Sequence, residues 1–216
     1  MKPFRSIRSV AAVLEEDDVD TDIIFPARFL LLLDKAGLGR HVFHERRQPR
    51  AGEPRFVLDT PPFDRAQILI AGRNFGSGSS REQAVWALAD FGIRCVIAPS
   101  FGEIFYGNCF KNGVLPIRLA ETQSLRERAA RGEEIEVNLE TLTILCGNSL
   151  SIPFETESFR REALLEGLDE IGAILTADGD AIRAFEAGQR QSRPWLHLGR
   201  DKLAHFDDLD EEKALG

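Results

Sequence analysis

The sequence predicts an α/β fold, a mixed sheet with flanking helices. Between Ile68 and Leu119 short apolar runs alternate with stretches of helix formers, in the order strand–helix–strand–helix–strand. Such a run makes parallel strands with right-handed crossovers. From Glu134 the chain changes to "EIEVNLETLTILCGNSLSIPF", whose period-two alternation, broken by "CGNS", reads as antiparallel strands. A length of 216 residues, 43% hydrophobic and 29% charged, suffices to bury one core, and no low-complexity tract or internal repeat interrupts it.

Taken in order, Ile7 to Leu14 alternates loosely and predicts an opening strand. The acidic residues Glu15 to Asp18 lead into "VDTDIIFP", where Pro26 ends any regular element. Residues 34–55 are rich in Gly, Arg and Pro with little periodicity, and predict a long, mobile loop with a short helical turn at its start. Ile68 to Ala71 has the continuous apolar pattern of a strand covered on both faces. "REQAVWALADFG" predicts a helix stopped by Gly92, and Cys95 to Ala98 a second buried strand. Ser100 and Glu103 are spaced as a capping box for a helix through about Asn112, closed by Gly113. Val114 to Leu119 is the third strand of the run, and "SLRERAARG" a polar helix ending at Gly132. After the alternating stretch come two helices, Ser158 to Glu166 and roughly Asp178 to Gln189. The end of the chain mixes Pro, Trp and His before the acidic "DDLDEE".

Bulk properties exclude several classes. A formal net charge of −8 argues against nucleic acid, whose binding requires Lys and Arg to neutralise phosphates. No apolar run approaches a membrane span. The first nine residues lack the apolar core and cleavage site of a signal peptide. Three cysteines, Cys95, Cys109 and Cys146, are odd in number and lack metal-ligand spacing. They suit a reducing, cytoplasmic setting and read as buried thiols, so no metal site is expected on this chain.

The densest chemistry is "RNFGSGSSREQA", residues 73–84, where a buried strand runs through a glycine turn into a helix. Free N–H groups at a helix start favour an anion, and Gly76 and Gly78 permit positive φ and close approach of a ligand to the backbone. Arg81 adds a planar fork suited to a carboxylate or phosphate. A phosphate-binding loop would need Lys where Arg81 follows two serines, and a dinucleotide fingerprint would need glycine at position 81. A nucleophile elbow would need glycines two before and two after its serine, which Ser77, Ser79 and Ser80 all lack. What survives is a small-anion site with hydroxyls beside an arginine, or a turn with a capping serine and Arg81 in solvent.

The motif "AGRNFGSGSSREQAVWAL" resembles the signature of the aconitase superfamily in its small-subunit form. "DVDTDIIFPARFL" is similar to that family's N-terminal Asp-Thr-Asp motif, and "APSFGEIFYGNCFKNGVLPI" to its next block. "FRREALLEGLDEIGAIL" with "DAIRAFEA" resembles the C-terminus of bacterial 3-isopropylmalate dehydratase small subunits. The four blocks are collinear over about residues 5–190. The pattern departs at Ser77 and Gln83, where bacterial leucine-pathway chains usually carry Cys and His.

The resemblance implies a swivelling β/β/α domain over residues 1–190, followed by an acidic extension, 191–216, that is partly disordered. It implies the small subunit of a hydro-lyase that converts 2-isopropylmalate into 3-isopropylmalate through 2-isopropylmaleate in leucine biosynthesis. The partner would be a large subunit that holds a 4Fe–4S cluster, with none bound by this chain, and the substrate a small dicarboxylate. By the family pattern Ser79 is the base, Arg81 clamps a substrate carboxylate and Ser80 hydrogen-bonds it, over backbone at Gly76 and Gly78. Asp22 lies near the site by analogy, against a reading as a turn aspartate bonding nearby backbone. The family's loop selects the substrate side group, making His41 and His44 candidates against a reading as solvent-facing histidines. Two further readings stay open: a paralogous dehydratase for another methyl- or dimethyl-substituted malate, and a non-catalytic anion-binding module.

Overall fold

The computed structural model describes residues 1–32, 34–48, 52, 54–78, 80–147 and 149–197. Ser79, and residues 198–216 of the acidic extension, lie outside the described residues. The chain divides into two compact units, Met1–Glu170 and a second from Ile171 onward.

The first unit is built on a seven-stranded mixed sheet. Its strands are β1 (Ser6–Leu14), β2 (Ile68–Ala71), β3 (Cys95–Ala98), β4 (Leu115–Arg118), β5 (Glu134–Asn138), β6 (Thr143–Cys146) and β7 (Leu150–Pro153), in the spatial order β4-β3-β2-β1-β5-β6-β7. β1 to β4 run parallel, with Ala11 opposite Ile68 and Ile68 opposite Cys95. β5, β6 and β7 continue the sheet antiparallel, Ile7 facing Val137 and Ile144 facing Ile152. The predicted α/β class with a mixed sheet is therefore observed.

β1 serves both halves of the sheet. Ser6 to Val10 pair with β5, and Ala11 to Leu14 pair with β2. The change of partner falls beside Ser9, whose hydroxyl accepts from the Gln67 N–H at 3.1 Å and donates to the Val10 carbonyl at 2.8 Å. That Gln67 N–H lies one residue before β2, outside the ladder, and the hydroxyl satisfies it.

The helices of this unit are α1 (Thr21–Ile24), α2 (Glu82–Phe91), α3 (Glu103–Lys111), α4 (Gln123–Ala130) and α5 (Ser158–Glu166). β2 and β3 are buried at every residue, as their unbroken apolar runs require. α2 buries Ala84, Val85, Ala87 and Leu88 on one face. Burying the Val85 and Leu88 side chains contributes about 1.5–3 kcal/mol each. Gly92 ends α2 as predicted, at φ 116°.

Two expectations are corrected. Ser100 and Glu103 form no capping box: α3 has Gly102 at its N-cap, and the Ser100 hydroxyl instead accepts from the Asn74 N–H at 2.8 Å. A Cβ on residue 102 would come within 2.4 Å of the Gly76 carbonyl oxygen, so the close approach of two loops fixes that cap. The stretch predicted as a long mobile loop is, among its described residues, folded onto the core. It carries a 3₁₀ turn at Leu38–His41, near its start as predicted, with another before it at Ala27–Phe29 and further turns beyond it at Val57–Asp59 and Phe63–Arg65. Leu38, Val42, Phe43 and Leu58 are buried. The Gly39 N–H donates to the Asp90 carboxylate at 2.7 Å, and Arg47 spans to Asp59 at 2.7 Å and to the Gly39 carbonyl at 3.3 Å. Scattered apolar anchors and one chelating arginine replace the periodicity that a helix or strand would show.

All three cysteines are buried and free, as expected, and burial pushes the Cys95 and Cys109 thiols far above their ordinary range. In the second unit α6 (Glu170–Ser192), longer than predicted, is followed by a 3₁₀ turn at Pro194–Leu196. α6 leaves Ile171, Ile174, Leu175 and Phe185 exposed. No helix among the described residues is long and apolar enough to cross a membrane.

Candidate active site

The candidate site lies where β1, β2 and β3, parallel neighbours, all end. Open α/β sheets place ligands beyond the carboxyl ends of their strands. The loops leaving the three strands continue the pairing past the sheet. Asp20 bridges Ser77 and Phe75 bridges Phe101, both in parallel sense. The Gly76 N–H donates to the Val19 carbonyl at 2.7 Å, the Thr21 N–H to the Ser77 carbonyl at 2.9 Å, and the Phe75 N–H to the Ser100 carbonyl at 3.1 Å.

This joining explains the glycines. Gly76 stands at φ 72°, and a Cβ there would meet the buried Phe105 ring at 2.2 Å. Gly78 stands at φ 91°, 3.4 Å from the Asp20 side chain by the same measure. Both positions need the left-handed conformation, and Gly76 also needs the empty space.

Every acidic side chain of the 16–22 stretch has a partner. Glu16 pairs with Arg46 at 2.5 Å, Asp17 with Arg73 at 2.9 Å, and Asp18 accepts from Asn74 at 2.7 Å. Hydrogen bonds from the Arg73 backbone and side chain hold the Asp17 carboxyl below the usual carboxylate range. Asp20 caps α1, its carboxylate accepting from the N–H groups of Asp22 and Ile23 at 2.8 Å each. Asp22 accepts from the Ala27 N–H at 2.8 Å and forms an ion pair with Arg81.

Arg81, the N-cap of α2, is extended at φ −127° and uses its side chain elsewhere than the cap. The Arg81 side chain is 20% exposed and engages Asp22 through Nη1. Nε and Nη2 carry no hydrogen bond to a described residue. The Arg81 contact is the main cause that holds the Asp22 carboxyl below its usual range, with the Ala27 N–H adding to it against desolvation. Next along, the Glu82 carboxylate accepts from Asn112 at 2.8 Å and Trp86 at 3.1 Å, tying the start of α2 to the end of α3.

Asp22 also borders an open cleft of about 600 Å³, together with Asp20, Ile23, Arg28, Arg46 and Gln48. Of the predicted residues, the structure brings together Gly76, Gly78, Arg81 and Asp22 through contacts between the strand-end loops, with the exposed Ser80 next to Arg81 in the chain. Ser79, between Gly78 and Ser80, is outside the described residues. His41 and His44 are half-buried and pack on Phe29, His41 stacked at 4.1 Å and His44 edge-on at 5.0 Å. His44 contacts Gln48, on the cleft rim, at 2.6 Å. Burial first, and then the positive charge of Arg40, holds His41 below its ordinary pKa. Among the described residues no three His, Cys, Asp or Glu side chains converge as a metal-binding group.

Sequence reasoning missed Asp20 as the cap, the Asp17–Arg73 and Asp18–Asn74 braces, and Arg28 and Arg46 on the cleft wall. An aspartate two and three residues before free helical N–H groups is a readable cap signal. The braces join residues more than fifty positions apart and leave no local trace.

The aconitase C-terminal domain family matches residues 1–122, and the family of C-terminal domains from the 3-isopropylmalate dehydratase small subunit matches residues 177–198. The 3-isopropylmalate dehydratase small subunit of Paramagnetospirillum magneticum is 48% identical over 202 residues, covering 91% of this chain and 100% of the relative. That of Rhodospirillum centenum is 49% identical over 201 residues, covering 90% and 98%. Among solved structures, 3-isopropylmalate dehydratase (leuD) from Methanocaldococcus jannaschii superposes with a TM-score of 0.64 at 30% identity, covering 84% of this chain and 99% of that one.

Proposed function

The chain belongs to the 3-isopropylmalate dehydratase small-subunit family, within the aconitase C-terminal domain group, and from that membership we propose that it is the small subunit of a hydro-lyase. It acts with a large subunit to isomerise 2-isopropylmalate to 3-isopropylmalate through 2-isopropylmaleate, a step of leucine biosynthesis in the cytoplasm. The observation that carries this reading is the full-length match to small subunits at 48% identity.

The residues of this chain bind, orient and move a proton. Arg81 takes one substrate carboxylate on the Nε–Nη2 edge of its fork, and Ser80 donates a hydrogen bond to the same group. Ser79 removes the proton from the carbon to be desaturated, as the double bond forms and the hydroxyl departs. The same serine returns a proton when water adds in the other orientation. A free serine is too weak a base for this. Positive potential from Arg81 and the start of α2 supports its ionised form. A 4Fe–4S cluster on the large subunit supplies a Lewis acid for the departing hydroxyl. The three cysteines of this chain are free, buried thiols, and no three His, Cys, Asp or Glu side chains build a ligand group among the described residues.

The test mixes the chain anaerobically with its cluster-bearing large subunit and follows isopropylmaleate absorbance. Turnover of 2-isopropylmalate is expected. Absence of turnover with a formed complex and an intact cluster overturns the assignment, and preference for another alkylmalate moves it to a paralogous dehydratase.

A further inference from the structure

We propose that Asp22 is a positioning residue for Arg81, engaging Nη1 so that the Nε–Nη2 edge of the guanidinium is preset for the substrate carboxylate. The inference rests on the functional reading above and goes beyond it by separating the aspartate from the chemistry. Asp22 contacts Arg81 at Nη1, leaving Nε and Nη2 without an acceptor among the described residues. Nε and Nη2 form the edge that a carboxylate grips with two parallel hydrogen bonds.

The aspartate is itself fixed. It sits on α1, whose first turn is capped by Asp20, and the Thr21 N–H ties that turn to the Ser77 carbonyl in the loop that carries Arg81. The other contact of Asp22, with the Ala27 N–H, reaches the segment that lines the cleft through Ala27 and Arg28. One carboxylate thus joins the arginine to the cleft wall. A carboxylate already hydrogen-bonded to an arginine and to a backbone N–H is a poor proton acceptor near neutral pH, which separates Asp22 from the base. An arginine free to sample its rotamers would lose that orientation on every substrate encounter, weakening binding more than the bond-making step.

Asp22→Asn keeps an acceptor for the Ala27 N–H and removes the charge from Arg81. In the enzyme reassembled with its large subunit, the KM for 2-isopropylmalate rises at least about tenfold while kcat changes less than about threefold, the pattern of lost ground-state binding. Asp22→Glu, which keeps the charge, raises KM less than Asp22→Asn does. If Asp22→Asn does not fold, Asp22→Glu carries the test with a KM rise of a few fold at unchanged kcat. A fall in kcat at unchanged KM places Asp22 in the bond-making step and overturns the inference. In the isotope-labelled chain alone, the Arg81 Nε–H resonance is resolved from the exposed arginines and merges with them in Asp22→Asn. An unchanged resonance also overturns the inference. If the complex forms but neither wild type nor variant turns over any alkylmalate, the functional reading has failed, and the Arg81 resonance alone decides the role of Asp22.

Discussion

The Phe105 ring occupies the place where residue 76 would carry a β-carbon, 2.2 Å from that position. Phe105 is buried and packs edge-on against Phe75 at 5.4 Å, so moving it disturbs the core around it. Gly76→Ala therefore adds a steric conflict to the cost of positive φ, and lowers stability by about 3 kcal/mol or more. Urea denaturation checks this against Gly92→Ala, where no atom lies within 4 Å and the loss is about 1 kcal/mol. Equal losses at the two positions would show that Phe105 yields.

Ser79→Ala removes the proposed base. Turnover of 2-isopropylmalate falls at least about 1,000-fold, within the range for loss of a positioned proton-transfer group. Co-elution with the large subunit in gel filtration stays unchanged. A rate within tenfold of wild type would transfer the role to another group.

Arg81→Lys keeps the charge but loses the paired donors of the fork. The substitution lowers kcat/KM about 100-fold, equivalent to about 2.7 kcal/mol. Steady-state kinetics on the reassembled enzyme reads this directly. A lysine variant within threefold of wild type would mean that charge alone suffices and that two-point contact is not used.

His41 links the loop to proton concentration. Its folded pKa lies below the ordinary 6.5, so the unfolded chain binds more protons between the two values. Stability supplied by the neutral ring is complete above about pH 6.5, declines as pH falls below that, and levels off beneath the depressed folded value. Guanidinium titrations at pH 7.5, 6 and 5 are expected to show a larger acid loss for wild type than for His41→Gln. Parallel profiles would remove His41 as the source.

The parallel and antiparallel halves of the sheet were legible because their periodicities differ. Unbroken apolar runs at Ile68 and Cys95 became strands buried at every residue, and alternation from Glu134 became β5 with every second side chain inward. The segment from Leu38 to Leu58 was not legible, because isolated anchors such as Val42 and Phe43 share no period and depend on Arg47 reaching Asp59. Ser100 misled for a related reason. Its spacing from Glu103 suits a local cap, while its hydroxyl serves Asn74, 26 positions away. At the candidate site the motif marked Arg81, and Asp22 was marked 59 positions earlier, yet nothing in the sequence joined the two as an ion pair.

The tie between the first two strand-end loops at residue 77 is made by its carbonyl, which receives the Thr21 N–H. Every amino acid brings the same carbonyl. The alignment of this turn is thus insulated from the identity of the side chain at 77, and a substitution there leaves the tie to Thr21 in place. Positions 76 and 102, held by steric exclusion, have no such latitude. Neighbouring letters of one motif are accordingly constrained in opposite ways, one by main-chain chemistry and the other by volume.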